Sequence, residues 1–493
     1  MSRPGWRKPR SKAFRAGLGV LSLGLSLLAG VAGCSAGASR HLLITIDTLR
    51  ADHLGAWGYP RDVSPTIDRL AAEGFFRAGL GAVAQDRPSF ASILTSTYPK
   101  DNGIVPAESA CRFPSPCDCW PRRFLGRGLR HHGRRLRTAP FPPTRLRLRG
   151  FDSTWRPVEL PDLAHPQDGG RAAIVNREVL ARLDRLPGDR PWFLWVHYLD
   201  PHFPYDPPSP WRERYTGDAW DVPGAPLPIV AGHGFGQMGG VGEEQILGDR
   251  RDLSYYRALY DAEIRYTDDS IAELLAAIEA RSDLEDAVTV VTADHGESLG
   301  EHRYFFDHGR FGFETCLHVP LVVHAPGRVP TGSEPLPVEL IDLAPTLLEL
   351  AGVPLEDGRW MQGKSLASHW SREGVEPVEH SYAHAEAGYA TEERWQKIVR
   401  DERFKLIYAP YAADQRHIGG HRQPFALYDL RADPGELVNL VDREPSDFQR
   451  LVTEVRRWWQ PRSFDVFVDD GTDLDTSMSE ETRQQLEALG YLN

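Results

Sequence analysis

Four short runs limit the fold most tightly: "HLLITID" (41–47), "DRPWFLWVHYLD" (189–200), "DAVTVVTADHG" (286–296) and "VPLVVHAPG" (319–327). Each is rich in β-branched or aromatic residues and does not alternate apolar with polar. Such runs read as strands buried on both faces. Helix-like stretches lie between and after them: 64–74, with Ser64 as N-cap and Gly74 as C-cap, then 170–186, 258–280 and 340–352. Buried strands alternating with helices predict an α/β fold with a mostly parallel central sheet flanked by helices. Ligands of such sheets bind beyond the carboxyl ends of the strands, and Asp47, Asp200 and Asp294 stand just past three of those ends.

Beyond residue 375 the pattern changes. "RWQKIVRDERFKLIYAP" and "PFALYDLRADPGELVNL" read as antiparallel strands, and "SDFQRLVTEVRRWWQ" as a helix. The expected organisation is a leader over 1–34, a large α/β domain over 40–370, and a smaller C-terminal α+β domain over 375–493. The last ends in a short amphipathic helix, "SEETRQQLEALGYLN". A chain of 493 residues, 41% hydrophobic and 26% charged, has ample material for such a core. A net charge of -12 argues against a general nucleic-acid binder.

The first residues carry an address. "MSRPGWRKPRSKAFR" holds six basic residues and no acid, and the apolar run "AGLGVLSLGLSLLAG" and "VAGC" follow. That order is a secretory signal, and "VAGC" resembles a bacterial lipobox. Cleavage before Cys34 and lipid on its sulfur are expected, placing the protein in the cell envelope on a membrane anchor. Cys316 is isolated and reads as a small core residue. Cys111, Cys117 and Cys119 match no usual zinc spacing. They begin an anomalous segment, 111–149, with eleven Arg, no Lys and one acid, Asp118. It fits a polyanion patch, a solvated insertion, or GC-rich codons read out of frame.

"DTLRADHLGAWGYPRDVSPTIDRLAAEG" (47–74), "PSFASILTSTYP" (88–99), "FLWVHYLDPHFPY" (193–205), "TADHGESLGEH" (292–302), "FDHGRFGFE" (306–314) and "LYDLRADPGELVNL" (427–440) occur in one order. Together they resemble the sulfatase branch of the alkaline-phosphatase-like superfamily. The resemblance implies a sulfuric-ester hydrolase of the arylsulfatase kind acting on a sulfated small molecule or glycan. Phosphodiester or phosphonate hydrolases and phosphoethanolamine transferases are its relatives. Ester hydrolysis of this kind uses a metal to neutralise oxygens and a nucleophile held in line. By resemblance Asp47, Asp294 and His295 are metal ligands. Many sulfatases have a second Asp where this chain has Thr48. The family's usual ion is calcium, but Asp-His at 294–295, in place of Asp-Asn, admits manganese or zinc. His202 and His308 match substrate-side histidines, and His197 supports the site from behind. Glu297 and His302 read as helix-start and loop residues.

One position departs from the pattern. Aligning on Pro88 and Ser89 puts Asp86 where sulfatases carry the Cys or Ser that becomes formylglycine, and Phe90 where they carry Arg. Phosphoesterase relatives place Thr or Ser at the same point. Asp cannot become formylglycine. Beside other carboxylates it more naturally joins Asp47, Asp294 and His295 as a fourth metal ligand. The family's "GKWHLG" motif is also missing. Three accounts are open: a hydrolase whose attack falls to Ser89 or a water activated at the metal, a catalytically inactive member that binds metal and anion, or an ordinary enzyme whose sequence is misread at this point.

Overall fold

The computed structural model describes residues 39–102, 171–370 and 382–459, apart from short stretches inside the last two ranges. Cys34, Cys111, Cys117, Cys119, the segment 111–149 and the expected terminal helix lie outside the described residues. Among those described, no helix is long and apolar enough to cross a membrane.

The large sheet is built from β1 (Arg40–Ile46), β2 (Phe75–Leu80), β3 (Trp192–Tyr198), β4 (Val288–Ala293) and β7 (His318–His324). Its order is β2-β7-β4-β1-β3. β1 sits between β3 and β4, parallel to both, with Ile46 opposite Tyr198 and Ala293. Residues 42–46 and 288–293 are wholly buried because helices cover both faces. Those helices are Pro65–Glu73, Arg171–Leu183, Leu253–Glu279 and Leu343–Leu350. The longest buries a stripe through Tyr256, Tyr260, Ile264, Ile271 and Ile278. Its N-cap is Asp252, which accepts from Tyr255 N at 3.0 Å.

Three details differ from the expectations. The fourth expected strand, β7, runs antiparallel to β4. No crossover helix joins the two; the chain leaves the carboxyl end of β4, forms the small hairpin of β5 (Ser298–Leu299) and β6 (Phe305–Asp307), and re-enters from the same edge. β2 pairs antiparallel with β7, so four of the five strands still share a direction. Second, Ser64 does not cap its helix through its side chain. Its hydroxyl accepts from Gly55 N and donates to Asp68. The helix start is capped by Asp268 of the long helix, whose carboxylate accepts from Thr66 N and Ile67 N at 2.9 Å each. Third, the C-terminal sheet has a strand that sequence pattern missed.

That sheet is β8 (Ala383–Ala387), β9 (Gln396–Arg400), β10 (Phe404–Tyr408) and β11 (Phe425–Asp429), all antiparallel. β8 reads "AHAEA", a composition poor in strand formers. One face packs Leu406 and Tyr408 against Leu451 and Val455 of the helix Pro445–Trp459. The other packs Ile398 and Ile407 against Phe311, Phe313 and Cys316, below the hairpin. Cys316 is a free, buried thiol, as its isolation suggested, and burial pushes its pKa up. Glu386 N donates to Ala82 O at 3.0 Å and ties the small sheet to the segment that leads into Asp86.

Candidate active site

Parallel pairing of β1 with β4 brings Asp47 and Asp294 side by side at the carboxyl edge. Asp86 is the first residue of the helix Asp86–Thr95, and Ser89, one turn on, donates its hydroxyl to Asp294 O at 2.7 Å. That bond holds the helix start against the end of β4. One ligand atom each from Asp47, Asp86, Asp294 and His295 lies within 4.8 Å of all the others. His295 Nε2 is 2.7 Å from Asp86 Oδ1 and 3.7 Å from both Asp47 Oδ1 and Asp294 Oδ2. Its Nδ1 bonds Gly296 O at 3.0 Å, which turns Nε2 into the carboxylates.

Buried Asp47 Oδ1 and Asp294 Oδ2 have no hydrogen-bond partner. Orphaned carboxylate oxygens at such a depth are costly unless a cation meets them. Three carboxylates and one imidazole form a donor set for a hard or borderline divalent ion. These residues fit the metal that the resemblance implies.

Protonation states describe the same crowding. Burial, with the charges of Asp47 and Asp86 adding to it, pushes Asp294 up to about 7 despite His295 and His197. Burial would depress His295, but the charges of Asp294, Asp86 and Asp47 outweigh it and hold the ring well above the usual histidine range. Desolvation opposes ionisation of Asp86, yet its bond to His295 and the charges of His295, His308 and His202 keep it far below the carboxylate range. For Asp47, burial and Asp86 push upward, and His202, His197 and His295 prevail downward. An imidazolium here does part of the neutralisation that a divalent ion would do.

The other expected histidines surround this group. His197, near the end of β3, bonds Thr45 Oγ1 through Nδ1 at 2.9 Å and stands 3.8 Å from Asp47 Oδ2 through Nε2. Phe90 packs edge-on to it with ring centroids 4.8 Å apart, so the expected Arg position is apolar. His308 follows β6; its Nε2 lies 4.0 Å from Asp86 Oδ1, and its ring is 4.1 Å from that of His295. His202 faces His308 at 5.2 Å, with its Nδ1 2.6 Å from Phe203 O.

Two expectations change. Ser89 is fully buried and bound to Asp294 O, so its hydroxyl is a structural pin and not an attacking group. Glu297, taken as a helix-start residue, is fully buried and reaches His308 Nδ1 at 3.1 Å. Only its fixed offset of three from Asp294, inside "DHGE", could have flagged it. His302 stays outside, stacked on Phe313 at 3.6 Å. Asp200 is buried past β3 but is not part of that group of close ligand atoms.

A sulfatase family model matches residues 40–353 of the 493, more than half of the chain. The chain belongs to the sulfatase family. A second model, N-sulphoglucosamine sulphohydrolase C-terminal, matches residues 300–458 of this sulfatase-family chain. It is 31% identical over 310 residues to a choline-sulfatase of Rhizobium meliloti, covering 60% of this chain and 57% of that protein. The match thus spans little more than half of that relative. An arylsulfatase of Clostridium perfringens is 25% identical over 460 residues, covering 82% of this chain and 90% of its own. Among solved structures, the fold is shared with a phosphonate monoester hydrolase from Silicibacter pomeroyi at TM-score 0.65 and 21% identity, over 90% of this chain and 100% of that one. It is shared too with a protein solved with its substrate D-glucosamine-2-N,6-O-disulfate, at TM-score 0.66 and 19% identity, over 86% and 98%.

Proposed function

We propose that this sulfatase-family chain is an exported, metal-dependent hydrolase of sulfate esters on a small molecule or glycan, with aryl phosphodiesters and phosphonates as secondary substrates. The observation that carries this reading is the four-residue group Asp47, Asp86, Asp294 and His295, with two orphaned carboxylate oxygens aimed into it. Those four residues would hold one divalent ion, calcium by family habit or manganese or zinc given His295. When bound, that ion neutralises ester oxygens and favours attack at sulfur. His308, on the Asp86 side, would take a proton from an attacking water, and His202, facing it, would protonate the leaving oxygen. Asp86 gives no formylglycine and serves as a ligand. Export and lipid on Cys34 rest on the basic leader, the apolar run and "VAGC".

The test is turnover of 4-nitrophenyl sulfate and bis(4-nitrophenyl) phosphate by the metal-stripped protein, with calcium, manganese or zinc restored singly. Turnover that appears only with an ion is expected. A protein that binds no ion would overturn the reading. The pinned Ser89 hydroxyl supports a second reading: a member that keeps the ion and an anion pocket without turnover. Gain of activity in Asp86→Thr or Asp86→Cys would favour it.

A further inference from the structure

We propose that Glu297 is a positioning residue that fixes the orientation and tautomer of His308. Its kinetic consequence rests on the hydrolase reading above; its structural consequence does not. Glu297 is wholly buried and ends the turn between Asp294 and β5. A buried carboxylate without partners would be costly, and this one has them on every side. Its Oε1 lies 3.1 Å from His308 Nδ1. Its Oε2 accepts from Tyr205 OH at 3.4 Å, and its main-chain oxygen from Arg50 Nη1 at 3.2 Å. Arg50 is itself clamped by Asp52 and Glu301. The loops after β3 and β6 thus meet on its side chain, and the loop after β1 holds its main chain.

His308 has little freedom once Glu297 is in place. Tyr304 OH donates to its carbonyl at 2.6 Å, and the ring lies against His295 at 4.1 Å and His202 at 5.2 Å. A carboxylate can only accept, so Nδ1 is the protonated nitrogen of the neutral ring. Nε2 then carries the lone pair on the Asp86 side, 4.0 Å from Oδ1. Without Glu297 the ring could flip or change tautomer, and a proton would occupy the position where a base is needed.

The test compares the full chain with E297Q and E297A, using nitrogen-15 histidine spectra that distinguish the two ring nitrogens and H308Q to assign the resonance. Spectra are recorded at alkaline pH, where the neutral ring carries one proton. His308 is expected as the Nδ1–H tautomer in the parent chain and in E297Q, whose amide oxygen still accepts, and as a mixture in E297A. Turnover of 4-nitrophenyl sulfate should lose about 10- to 100-fold in kcat in E297A with KM changed less than about threefold, and E297Q should recover most of it. An Nε2–H tautomer in the parent chain, or E297A indistinguishable from it, would overturn the proposal even if a variant folds poorly. A parent chain without turnover but with the Nδ1–H tautomer would remove the hydrolase reading and leave the Glu297–His308 orientation standing.

Discussion

Asp86 Oδ1 and His295 Nε2 stand 2.7 Å apart, joining the residue at the nucleophile position to a residue of the metal group. The family position for attack thereby falls within the group of residues that could hold a cation. Replacing Asp86 with Ala should weaken Mn2+ binding by at least about tenfold, the smaller end of what supporting residues alone cost. Isothermal titration calorimetry of the metal-stripped protein measures it. Unchanged affinity would exclude Asp86 from the ligand set.

Ion binding should also appear in stability. At a free ion concentration about 100 times Kd, the folded chain gains about 2.7 kcal/mol. A chelator should therefore lower the melting temperature, and Asp47→Asn should remove that response. Differential scanning calorimetry with and without the ion is the measurement.

Ser89→Ala tests the pin between helix and strand. Leaving Asp294 O unpaired should cost about 1–3 kcal/mol in urea unfolding. Any turnover should persist, reduced in step with the displaced Asp294. Complete loss of turnover in a chain that still binds the ion would make Ser89 the nucleophile.

Gly296 lies between His295 and Glu297, and an added Cβ would stand 2.1 Å from Thr315 O, a backbone atom that cannot yield easily. Gly296→Ala should destabilise by about 1–3 kcal/mol or more. It should weaken ion binding as well, because the same shift moves His295. Calorimetric titration beside unfolding separates the two effects.

A pH dependence should arise far from the site. His384 of β8 lies 3.0 Å from Glu454 of the C-terminal helix and 3.7 Å from Glu339 of the large unit. Tyr98 OH and Trp458 also face it, and Arg457 pairs with Glu454. Burial would depress its pKa, but the bonds to Glu339 and Glu454 raise it above the ordinary histidine range. A raised histidine stabilises most below its unfolded value, and that contribution fades as pH rises through the folded one. Stability should therefore decline above about pH 6.5, and less steeply in His384→Gln, in melts from pH 6 to 9.

Much of the large sheet was legible because its strands are unbroken apolar runs, a pattern that full burial demands. Asp47 and Asp294 were legible for the same reason: an acid just past a buried strand stands at the edge where parallel sheets bind ligands. The direction of β7 was not legible, since both directions need the same residues. Nor was β8, whose alanines pack well only against a partner the chain supplies later. Glu297 escaped because a carboxylate after a histidine is ordinary at a turn; its burial against His308 is a tertiary fact.

Because β7 re-enters the sheet where β4 leaves it, residues 294–317 form a detour with both ends moored to neighbouring strands. Lengthening or shortening its tip, between Leu299 and Phe305, would change the reach of His308 while Asp294 and His295 stay put. Loops of this kind behave as exchangeable cassettes. A chain can inherit new substrates through one without relearning how to fold.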